Sequence, residues 1–326
     1  MTDQELKEIK PVHAVITWVD GNSETHKKKR ERHLCENKKP LHENAINPHR
    51  WICNNEILFC LQSINNFAPW IQKIWIVIDK EQPDLSPLPN ELNEKINLVY
   101  HKSIFGEYSA FLPTFNSIAI ESMLWRIEGL SENFLYFNDD VFLTRAVKSQ
   151  DFFCNKKTII RGRWVNYNSL LQNKDLSKDP AMFNHFMQLN SAKMLGFKPD
   201  KIFKTAHVVH AFKRSRMEKL FLEYQLHFLE NIKFKFRDLN QFSIQGLYNH
   251  DCIRKSDARI IPNKDYLHIH SGQETVTPSR EMENIFQNFS RDTKIKFLCI
   301  NDLPKLELAY PNTRNWLSDV VGGFTR

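Results

Sequence analysis

The stretch FLYFNDDVFL, residues 134–143, places two adjacent carboxylates inside an apolar run. Its flanks are typical of a buried β-strand, and Asn138, Asp139 and Asp140 interrupt it. Two like charges about 4 Å apart repel by roughly 4 kcal/mol at an effective dielectric near 20. We therefore expect compensation for the two aspartates. The compensation comes either from a bound cation or from a turn in which the two aspartates cap backbone amides or face water.

Strands and helices alternate along the first half of the chain. Apolar, β-branched runs predict strands, and helical spacing of apolar residues predicts helices. The predicted strands are 12–19, 73–79, 96–100 and NFLYFN at 133–138, and the predicted helices are 24–36, 54–66 and 115–128. Asp20, Asp79 and Asp139 each follow the C-terminal end of a strand. The pattern predicts an α/β fold with a Rossmann-like, mainly parallel sheet that binds its ligand at this edge.

The second half is richer in helical patterns. Ser215–Glu218 reads as a capping box before an amphipathic helix, KFKFRD at 233–238 as an edge strand, and KFLCIND at 296–302 as another strand that ends in Asn-Asp. No segment has the composition of a linker between domains. We predict one catalytic domain over 1–326, with a core at 12–160 and 200–302, a helical insertion at roughly 160–230 and a C-terminal tail at 303–326.

Composition indicates a globular protein. Hydrophobic residues make up 41% of the 326 residues, and no apolar run approaches the roughly 18 residues that span a bilayer. The start MTDQELKEIKP lacks the apolar core of a signal peptide, so we expect a cytoplasmic protein. The six cysteines occur singly, without a C-x-x-C pair, which favours reduced thiols over a zinc ribbon or a disulfide framework.

The net charge of +7 fits an anionic partner, which is a nucleic acid, an acidic membrane face or a phosphate-bearing substrate. The basic run HKKKRERH at 26–33 is short, contains Glu31 and lacks an accompanying nucleic-acid-binding motif. We interpret it as a solvated helix face, open to peripheral contact with anionic lipid, and expect no nucleic-acid partner.

Two motifs indicate binding sites, one for a metal ion and one for a nucleotide. Asn138-Asp139-Asp140 offers oxygen ligands, which suit Mg²⁺ or Mn²⁺, and the second Asn-Asp ending at 301–302 strengthens that interpretation. TWVDG at 17–21 forms a tight turn after the first strand, where backbone amides and Trp18 can approach a nucleotide. The alternative is a core tryptophan followed by an unliganded Asp-Gly turn.

Histidines supply the candidates for proton transfer. His207 and His210 precede Lys213 and Arg214, which combines general acid/base groups with phosphate-binding cations. A structural role remains the alternative for each histidine. The pair His268 and His270 lies on one strand face but lacks an evident third metal ligand, so we treat it as structural.

Four blocks of sequence, in order, resemble the Stealth family of sugar-1-phosphate transferases. These bacterial enzymes act in capsule and cell-surface polysaccharide synthesis, and the animal GlcNAc-1-phosphotransferase shares their catalytic core. The blocks are AVITWVDGN at 14–22, a long second block that includes 54–79 and 112–143, a third from AHVVHAFKRS at 206–215 to 233–238, and KFLCIND at 296–302.

The resemblance implies a fold similar to GT-A glycosyltransferases. It also implies transfer of a hexose-1-phosphate, such as N-acetylhexosamine-1-phosphate, from a UDP-sugar to a hydroxyl of a glycan or lipid-linked glycan. The products are a phosphodiester and UMP. Such an enzyme would use Mg²⁺ or Mn²⁺ in the cytoplasm, with peripheral contact at the inner face of the bacterial membrane left open.

The resemblance also implies the site residues. Catalytic roles fall on Glu121, Asp139, His207 and Arg237, the nucleotide-side turn on Trp18, Asp20 and Gly21, and metal binding on Asp139, Asp140, Asn301 and Asp302. Beside these, we predict that Asn116, Lys213 and Arg214 also bind substrate. His207 is then either a general base or a nucleophile that forms a phosphohistidine.

The chain departs from the family pattern in two places. Leu58 and Gln62 stand where many members carry arginines, and Val209 stands where many carry a proline. The first departure weakens inferences about contacts to the donor phosphates. Two alternatives to a phosphotransferase stay open, namely a metal-dependent glycosyltransferase that releases UDP and a non-catalytic protein that binds polyanions or glycans.

Overall fold

The computed structural model describes residues 11–37, 40–261 and 265–323. The segment 1–10, on which the prediction of no signal peptide largely rests, lies outside the described residues. Within the described ranges, no helix combines the length and apolarity needed to cross a bilayer.

The strands of the described residues form three sheets. They are β1 (Val12–Thr17), β2 (Ile74–Ile78), β3 (Ile96–Tyr100), β4 (Asn133–Asn138), β5 (Val141–Leu143), β6 (Phe153–Cys154), β7 (Lys157–Val165), β8 (Ile202–Thr205), β9 (His210–Lys213), β10 (Ala258–Ile261), β11 (Tyr266–Ile269) and β12 (Phe297–Ile300).

The α-helices cover both faces of the sheets. They are α1 (Glu24–Glu36), α2 (Glu43–Ile46), α3 (Glu56–Phe67), α4 (Asn90–Asn93), α5 (His101–Phe105), α6 (Ser117–Glu121), α7 (Asn168–Gln172), α8 (Phe183–Met194), α9 (Arg214–Glu223), α10 (Gln225–Lys233), α11 (Ile244–Arg254), α12 (Gln273–Val276), α13 (Ser279–Arg291), α14 (Leu303–Ala309) and α15 (Thr313–Val320). Short 3₁₀ turns occur at Pro48–Trp51, Gly106–Phe111, Leu124–Arg126, Ser149–Asp151, Lys174–Ser177 and Pro180–Met182.

The central sheet has the order β3-β2-β1-β4-β9, in which the first four strands run parallel and β9 runs antiparallel beside β4. Thr17 at the end of β1 pairs with Asn138 at the end of β4, so the carboxyl ends of these strands share one edge. The predicted α/β fold with a Rossmann-like, mainly parallel sheet is confirmed.

The central sheet is apolar on both faces. Every residue of β1 and β2 is buried, and the neighbours Val15 and Ile16 lie in two different hydrophobic cores on opposite sides of the sheet. A parallel sheet covered by helices on both sides produces such continuous apolar runs. This burial explains why these strands could be located from the sequence.

A second sheet begins where the central one ends. After β4 the chain turns at Asp139 and Asp140 and continues as β5, which pairs antiparallel with β12, and β12 pairs in turn with β11. The backbone amide of Ile300 donates to the carbonyl of Asp140 at 3.1 Å. The Asp-Asp turn is therefore held between two sheets.

The third sheet contains β10, β7 and β6, with β8 also paired to β7. Residues 160–230 contain the end of β7, the strands β8 and β9, the helices α7–α9 and the first part of α10, so this segment combines strands with helices.

The predicted edge strand at 233–238 is wrong. Helix α10 ends at Lys233, and the residues that follow form no strand. Phe236 is buried and stacks on Phe115 with ring centroids 5.2 Å apart. The alternating apolar pattern therefore arises from side chains that pack into a loop core instead of from a pleated strand.

Two further local predictions differ from the structure. The helix predicted at 115–128 is short, since α6 covers only Ser117–Glu121 and a 3₁₀ turn follows at Leu124–Arg126. The capping box at Ser215 is wrong, because α9 already begins at Arg214 and the Ser215 hydroxyl donates to Glu132 at 2.6 Å.

Candidate active site

Asp140 lies at the centre of a polar cluster at the carboxyl edge of the central sheet. His207, in the loop between β8 and β9, places its Nε2 3.7 Å from Asp140 Oδ1. The amide of Asn301, just after β12, donates to Asp140 Oδ2 at 2.6 Å. Burial alone would raise the pKa of Asp140, but His207 and Asn301 outweigh it and lower the pKa. Asp140 is therefore an anion held by two long-range partners.

His207 is the accessible member of this pair. Its side chain is 38% exposed. Burial on its own would lower the pKa of His207, but the Asp140 carboxylate raises it above its ordinary value. With Nε2 facing Asp140, Nδ1 is the ring nitrogen left to exchange a proton or to attack a substrate. The arrangement matches a histidine oriented by a carboxylate.

Two further carboxylates, those of Asp139 and Glu56, lie close to this pair. Burial, together with the charges of Asp140 and Glu56, raises the pKa of Asp139 well above its ordinary range. Burial, with a smaller contribution from Asp140, also raises the pKa of Glu56, whose Oε2 accepts the Asn54 amide at 2.7 Å. Among the described residues, none donates a hydrogen bond to the buried Oδ1 of Asp140. These oxygen donors fit a hard divalent cation, which would relieve their mutual repulsion.

Asn301 and Asp302, the two residues of the closing motif, make different contacts. The Asn301 amide nitrogen faces Asp140, and its Oδ1 accepts the Nε2–H of His268 at 2.7 Å. Asn301 thus orients Asp140, and both ends of its amide are engaged. Asp302 begins α14 and pairs with Lys305 at 2.8 Å while accepting the Ser271 hydroxyl at 3.2 Å.

Glu121 is buried in a hydroxyl network below the sheet edge. Tyr136 of β4 donates its hydroxyl to Glu121 Oε1 at 3.1 Å, and Gln245 donates to Oε2 at 2.8 Å. The same tyrosine oxygen accepts from Asn138 at 3.0 Å and lies 2.9 Å from the Thr17 hydroxyl. Glu121 is thereby connected to the residue that precedes the two aspartates.

Two arginines approach the same site. Arg237 donates to the Ser117 hydroxyl at 2.8 Å, and burial lowers its pKa although the Glu121 and Asp140 charges act in the opposite direction. Burial and the charge of Arg237 lower the pKa of Arg50 well below its ordinary range, against the attraction of Asp140. Asn44 holds the Arg50 guanidinium through its side-chain oxygen at 2.6 Å and its carbonyl. Two neighbouring guanidinium groups would be stabilised by an anion.

Sequence reasoning missed Arg50. It lies in the 3₁₀ turn Pro48–Trp51, which carries no motif, and only its proximity to Arg237 and Asp140 identifies it. Sequence reasoning also assigned His268 a structural role, yet its ring centroid lies 5.4 Å from that of His207. His268 reaches the site because β11 pairs with β12, a pairing that the sequence alone does not reveal.

The predicted nucleotide-side turn is closely packed. Trp18 is only 7% exposed and belongs to the main hydrophobic core. Asp20 Oδ1 accepts the Asn22 amide at 2.9 Å, which forms the turn itself. A Cβ on Gly21 would lie 2.2 Å from the carbonyl oxygen of Trp51. Gly21 therefore permits close approach to the turn that carries Arg50.

Three further residues were predicted to bind substrate, namely Asn116, Lys213 and Arg214. Asn116 caps α6 and is 1% exposed, with its amide donating to Phe234 and Gln241. Lys213 pairs with Asn133 at the start of β4, and the backbone amide of Arg214 donates to Glu132. Because Asp139 follows the other end of β4, the structure does not bring these two cations to the carboxylates.

His210 is a structural residue. It pairs with Tyr136 across β9 and β4, and the two rings stack with centroids 6.5 Å apart. Burial, followed by the charges of His207 and Arg161, lowers the pKa of His210 to about 3, so the ring is neutral.

Part of the chain matches a known protein family. Residues 50–161, which include Arg50, Glu56, Glu121 and both aspartates, match conserved region 2 of the Stealth proteins. Two solved structures resemble the chain more distantly. The galactosyltransferase LgtC superposes with a TM-score of 0.49 and 9% identity over 96% of both chains. Mouse xyloside xylosyltransferase 1 gives a TM-score of 0.41 and 11% identity over 89% of this chain and 96% of that one.

Curated relatives are polysaccharide phosphotransferases. An exopolysaccharide phosphotransferase of Streptomyces coelicolor is 33% identical over 74% of this chain and 38% of its own length. A capsular polysaccharide phosphotransferase of Neisseria meningitidis serogroup B is 35% identical over 44% of this chain and 38% of its own length. The chain thus spans about two fifths of the length of these relatives. Residues 50–161 of this chain thus carry conserved region 2 of the Stealth family, and the two relatives share 33% and 35% identity with the chain over the matched residues.

Proposed function

We propose that this protein transfers a hexose-1-phosphate, such as N-acetylhexosamine-1-phosphate, from a UDP-sugar to a hydroxyl of a glycan acceptor. The reaction forms a phosphodiester and releases UMP. The observation that carries the proposal is the Asp140–His207 pair, 3.7 Å apart and beside a second aspartate. The names of the relatives in the Stealth family support the same reaction class.

Asp139 and Asp140 are the residues that would hold a divalent cation, Mg²⁺ or Mn²⁺. Their oxygen ligands suit such an ion, and the raised pKa of Asp139 reflects burial and uncompensated negative charge. A bound divalent cation would neutralise charge on the pyrophosphate and on the departing UMP. Asn301 would fix the orientation of Asp140 through its 2.6 Å hydrogen bond.

Arg50 and Arg237 would bind the phosphoryl oxygens of the donor. Each guanidinium is held by a neighbour, Asn44 for Arg50 and Ser117 for Arg237, so little side-chain entropy is lost on binding. An anion between them would remove the repulsion that contributes to the lowered pKa of Arg50. Many family members carry arginines at the positions of Leu58 and Gln62. In this chain, Arg50 would contact the donor phosphates in their place.

His207 would remove the proton from the acceptor hydroxyl. The acceptor oxygen then forms a bond to the phosphorus attached to the sugar, and the bond from that phosphorus to the bridging pyrophosphate oxygen breaks. Because Nε2 of His207 faces Asp140 at 3.7 Å, Nδ1 would be the nitrogen that accepts the proton. In the alternative order, Nδ1 attacks phosphorus first and a phosphohistidine then passes its phosphosugar to the acceptor.

The acceptor is a glycan or lipid-linked glycan in capsule or cell-surface polysaccharide synthesis. This part of the proposal follows the names of the capsular and exopolysaccharide relatives. We propose a cytoplasmic site of action, with contact at an anionic membrane face where a lipid-linked acceptor would lie.

Identification of the released nucleotide tests the proposal. The protein is incubated with Mg²⁺, a panel of UDP-sugars and candidate glycan acceptors, and the nucleotides are separated by ion-exchange chromatography. UMP release that requires acceptor and is lost in His207→Ala supports phosphosugar transfer. The matched control is His227→Ala, which changes an exposed histidine on α10.

Two other results would contradict the proposal. Release of UDP instead of UMP would indicate transfer of the sugar without its phosphate. Absence of turnover, together with salt-dependent polyanion binding that survives His207→Ala, would indicate a binding protein.

A further inference from the structure

A second set of potential metal-ligand atoms also includes Asp140. A carboxylate oxygen of Asp140, a ring nitrogen of His207 and the sulfur of Cys299 all lie within 4.8 Å of one another. The three residues come from the β4–β5 turn, the β8–β9 loop and strand β12. Sequence reasoning did not connect Cys299 with this site.

The chemistry of this set differs from that of the aspartate pair. A thiolate, an imidazole and a carboxylate together suit borderline cations such as Zn²⁺ and Co²⁺, whereas Mg²⁺ prefers oxygen ligands alone. Ligand atoms around a tetrahedral zinc ion lie about 3.3–3.8 Å apart, given bonds of roughly 2.0–2.3 Å. The 3.7 Å separation between Asp140 and His207 is already in that range.

Neighbouring groups hold two of the ligands. The Asn301 amide nitrogen lies 2.6 Å from Asp140 Oδ2 and 3.6 Å from Cys299 Sγ. His268 fixes that amide by donating to its oxygen at 2.7 Å. The other oxygen of Asp140, Oδ1, is buried and accepts no hydrogen bond from the described residues, so its lone pairs are available. Such outer-shell hydrogen bonds are what orients the ligands of a metal site.

The three ligands differ in exposure. Cys299 is fully buried in β12, whereas the side chains of His207 and Asp140 are 38% and 24% exposed. A cation would therefore reach the Cys299 sulfur from the side of His207 and Asp140.

We infer that Asp140, His207 and Cys299 form a binding site for a borderline divalent cation of the Zn²⁺ class, and that its occupation inhibits the enzyme. Binding replaces the proton of the Cys299 thiol, which is released to solvent. Coordination through Nε2 leaves the proton of the neutral His207 ring on Nδ1, the nitrogen that the proposed transfer requires as acceptor. Inhibition of the transfer by the bound cation rests on the proposed function, whereas the existence of the metal site does not.

Cobalt spectroscopy tests the site without any activity measurement. Co²⁺ is added to the reduced, metal-free protein, and the absorption spectrum is recorded. We expect one equivalent to bind, with a thiolate-to-cobalt charge-transfer band in the near ultraviolet that is removed by Zn²⁺. The band should vanish in Cys299→Ser and persist in Cys35→Ser, whose cysteine is exposed on α1.

A second variant controls for misfolding caused by the substitution at the buried Cys299. His207→Gln changes a partly exposed ligand, and we expect it to weaken Co²⁺ binding at least tenfold with an unchanged thermal midpoint. A band that survives in Cys299→Ser, or no band in the wild-type protein, would overturn the site.

The inhibitory part is measured as UMP release with Mg²⁺ present and increasing Zn²⁺. We expect the Zn²⁺ concentration for half-inhibition, relative to each variant's own uninhibited rate, to rise at least tenfold in Cys299→Ser and to stay unchanged in Cys35→Ser. Turnover that Zn²⁺ supports without Mg²⁺, and that Cys299→Ser abolishes, would overturn inhibition. If the wild-type protein shows no turnover at all, the proposed function fails while the cobalt spectrum still decides the metal site.

Discussion

The amide of Asn301 donates to the carboxylate of Asp140 at 2.6 Å across 161 residues of sequence. This contact joins the end of the second sheet to the turn at the end of the central sheet. It also connects His268 to the Asp140–His207 pair, since the same amide accepts from His268. Asn301 is a positioning residue for the aspartate.

Asn301→Ala should lower kcat/KM about 10- to 100-fold, as expected for loss of an outer-shell hydrogen bond. Without the amide donor, the pKa of Asp140 should rise, so the acidic limb of the pH–rate profile should move to higher pH. The measurement is kcat/KM over a pH series with UMP as the readout. An unshifted profile with reduced stability would show a merely structural role.

Arg50→Ala and Arg237→Ala should each reduce turnover about 10²- to 10³-fold, the usual cost of removing one donor that stabilises transition-state charge. Lysine at either position should restore little, because a single ammonium cannot replace the planar guanidinium. Steady-state kinetics with varied UDP-sugar measures the loss. The control is Arg280→Ala on the exposed side of α13, and a loss of similar size there would contradict the assignment.

Gly21→Ala should destabilise the protein by about 1–3 kcal/mol, as overpacking generally does. The new Cβ would lie 2.2 Å from the Trp51 carbonyl oxygen, which is backbone and cannot rotate away. Because Trp51 follows Arg50, donor binding should weaken as well. Chemical denaturation and the KM for the donor measure the two effects. Gly196→Ala is the comparison, since no atom lies within 4 Å of its Cβ position, and there only the positive φ of 81° adds strain.

Tyr136→Phe should cost about 1–3 kcal/mol of the free energy of unfolding, because it leaves buried polar partners without their hydrogen bond. The hydroxyl serves Thr17, Glu121 and Asn138 at 2.9–3.1 Å. Urea denaturation measures the change. Tyr100→Phe, at a side chain that is 42% exposed, should leave stability nearly unaltered. Equal effects of the two substitutions would contradict the network.

Acidification should destabilise the fold through histidines that are buried in their neutral form. Burial, assisted by the charge of Lys73 at His13, lowers the pKa values of His13 and His250 from 6.5 to about 4. Both rings accept backbone amides, from Ser131 at His13 and from Phe203 at His250, each at 3.1 Å. The unfolded chain takes up protons below its pKa while the folded rings stay neutral, so stability is fully present above about pH 6.5 and falls as the pH decreases toward 4.

The expected loss is about 1–2 kcal/mol per buried histidine between about pH 7 and pH 5. Guanidinium denaturation at several pH values measures it. His250→Gln should flatten the dependence, whereas His227→Gln, at an exposed position, should keep the wild-type slope. Stability that is constant over this range would contradict the neutral state of the buried rings.

Much of the fold followed from local pattern. The strands at 12–19, 73–79, 96–100 and 133–138 were predicted within one or two residues. In β1 and β2, burial of every residue leaves a continuous run dominated by apolar residues. The same reasoning failed at 233–238, where Phe236 fills a loop core instead of a strand face. Local alternation does not reveal what a side chain packs against. The division into core, insertion and tail stays a prediction.

The candidate site was only partly predictable. Asp139, Asp140 and His207 lie together at the sheet edge, and their catalytic and metal-binding roles stay predictions. Lys213 and Arg214 were wrongly grouped with His207, because β9 runs antiparallel and carries them to the opposite end of β4. Lys213 and Arg214 are close to His207 in sequence, but the length of β9 separates them from it in space.

The sequence by itself determined the parallel sheet and the two aspartates at its carboxyl edge, because burial and strand ends are local properties of the chain. Only the tertiary structure decided that Arg50, His268 and Cys299 join them. Those contacts depend on strand order and on where the loops return. The physical reason is that hydrophobic burial is encoded residue by residue, whereas the geometry of charges and ligands arises only when distant segments share one edge.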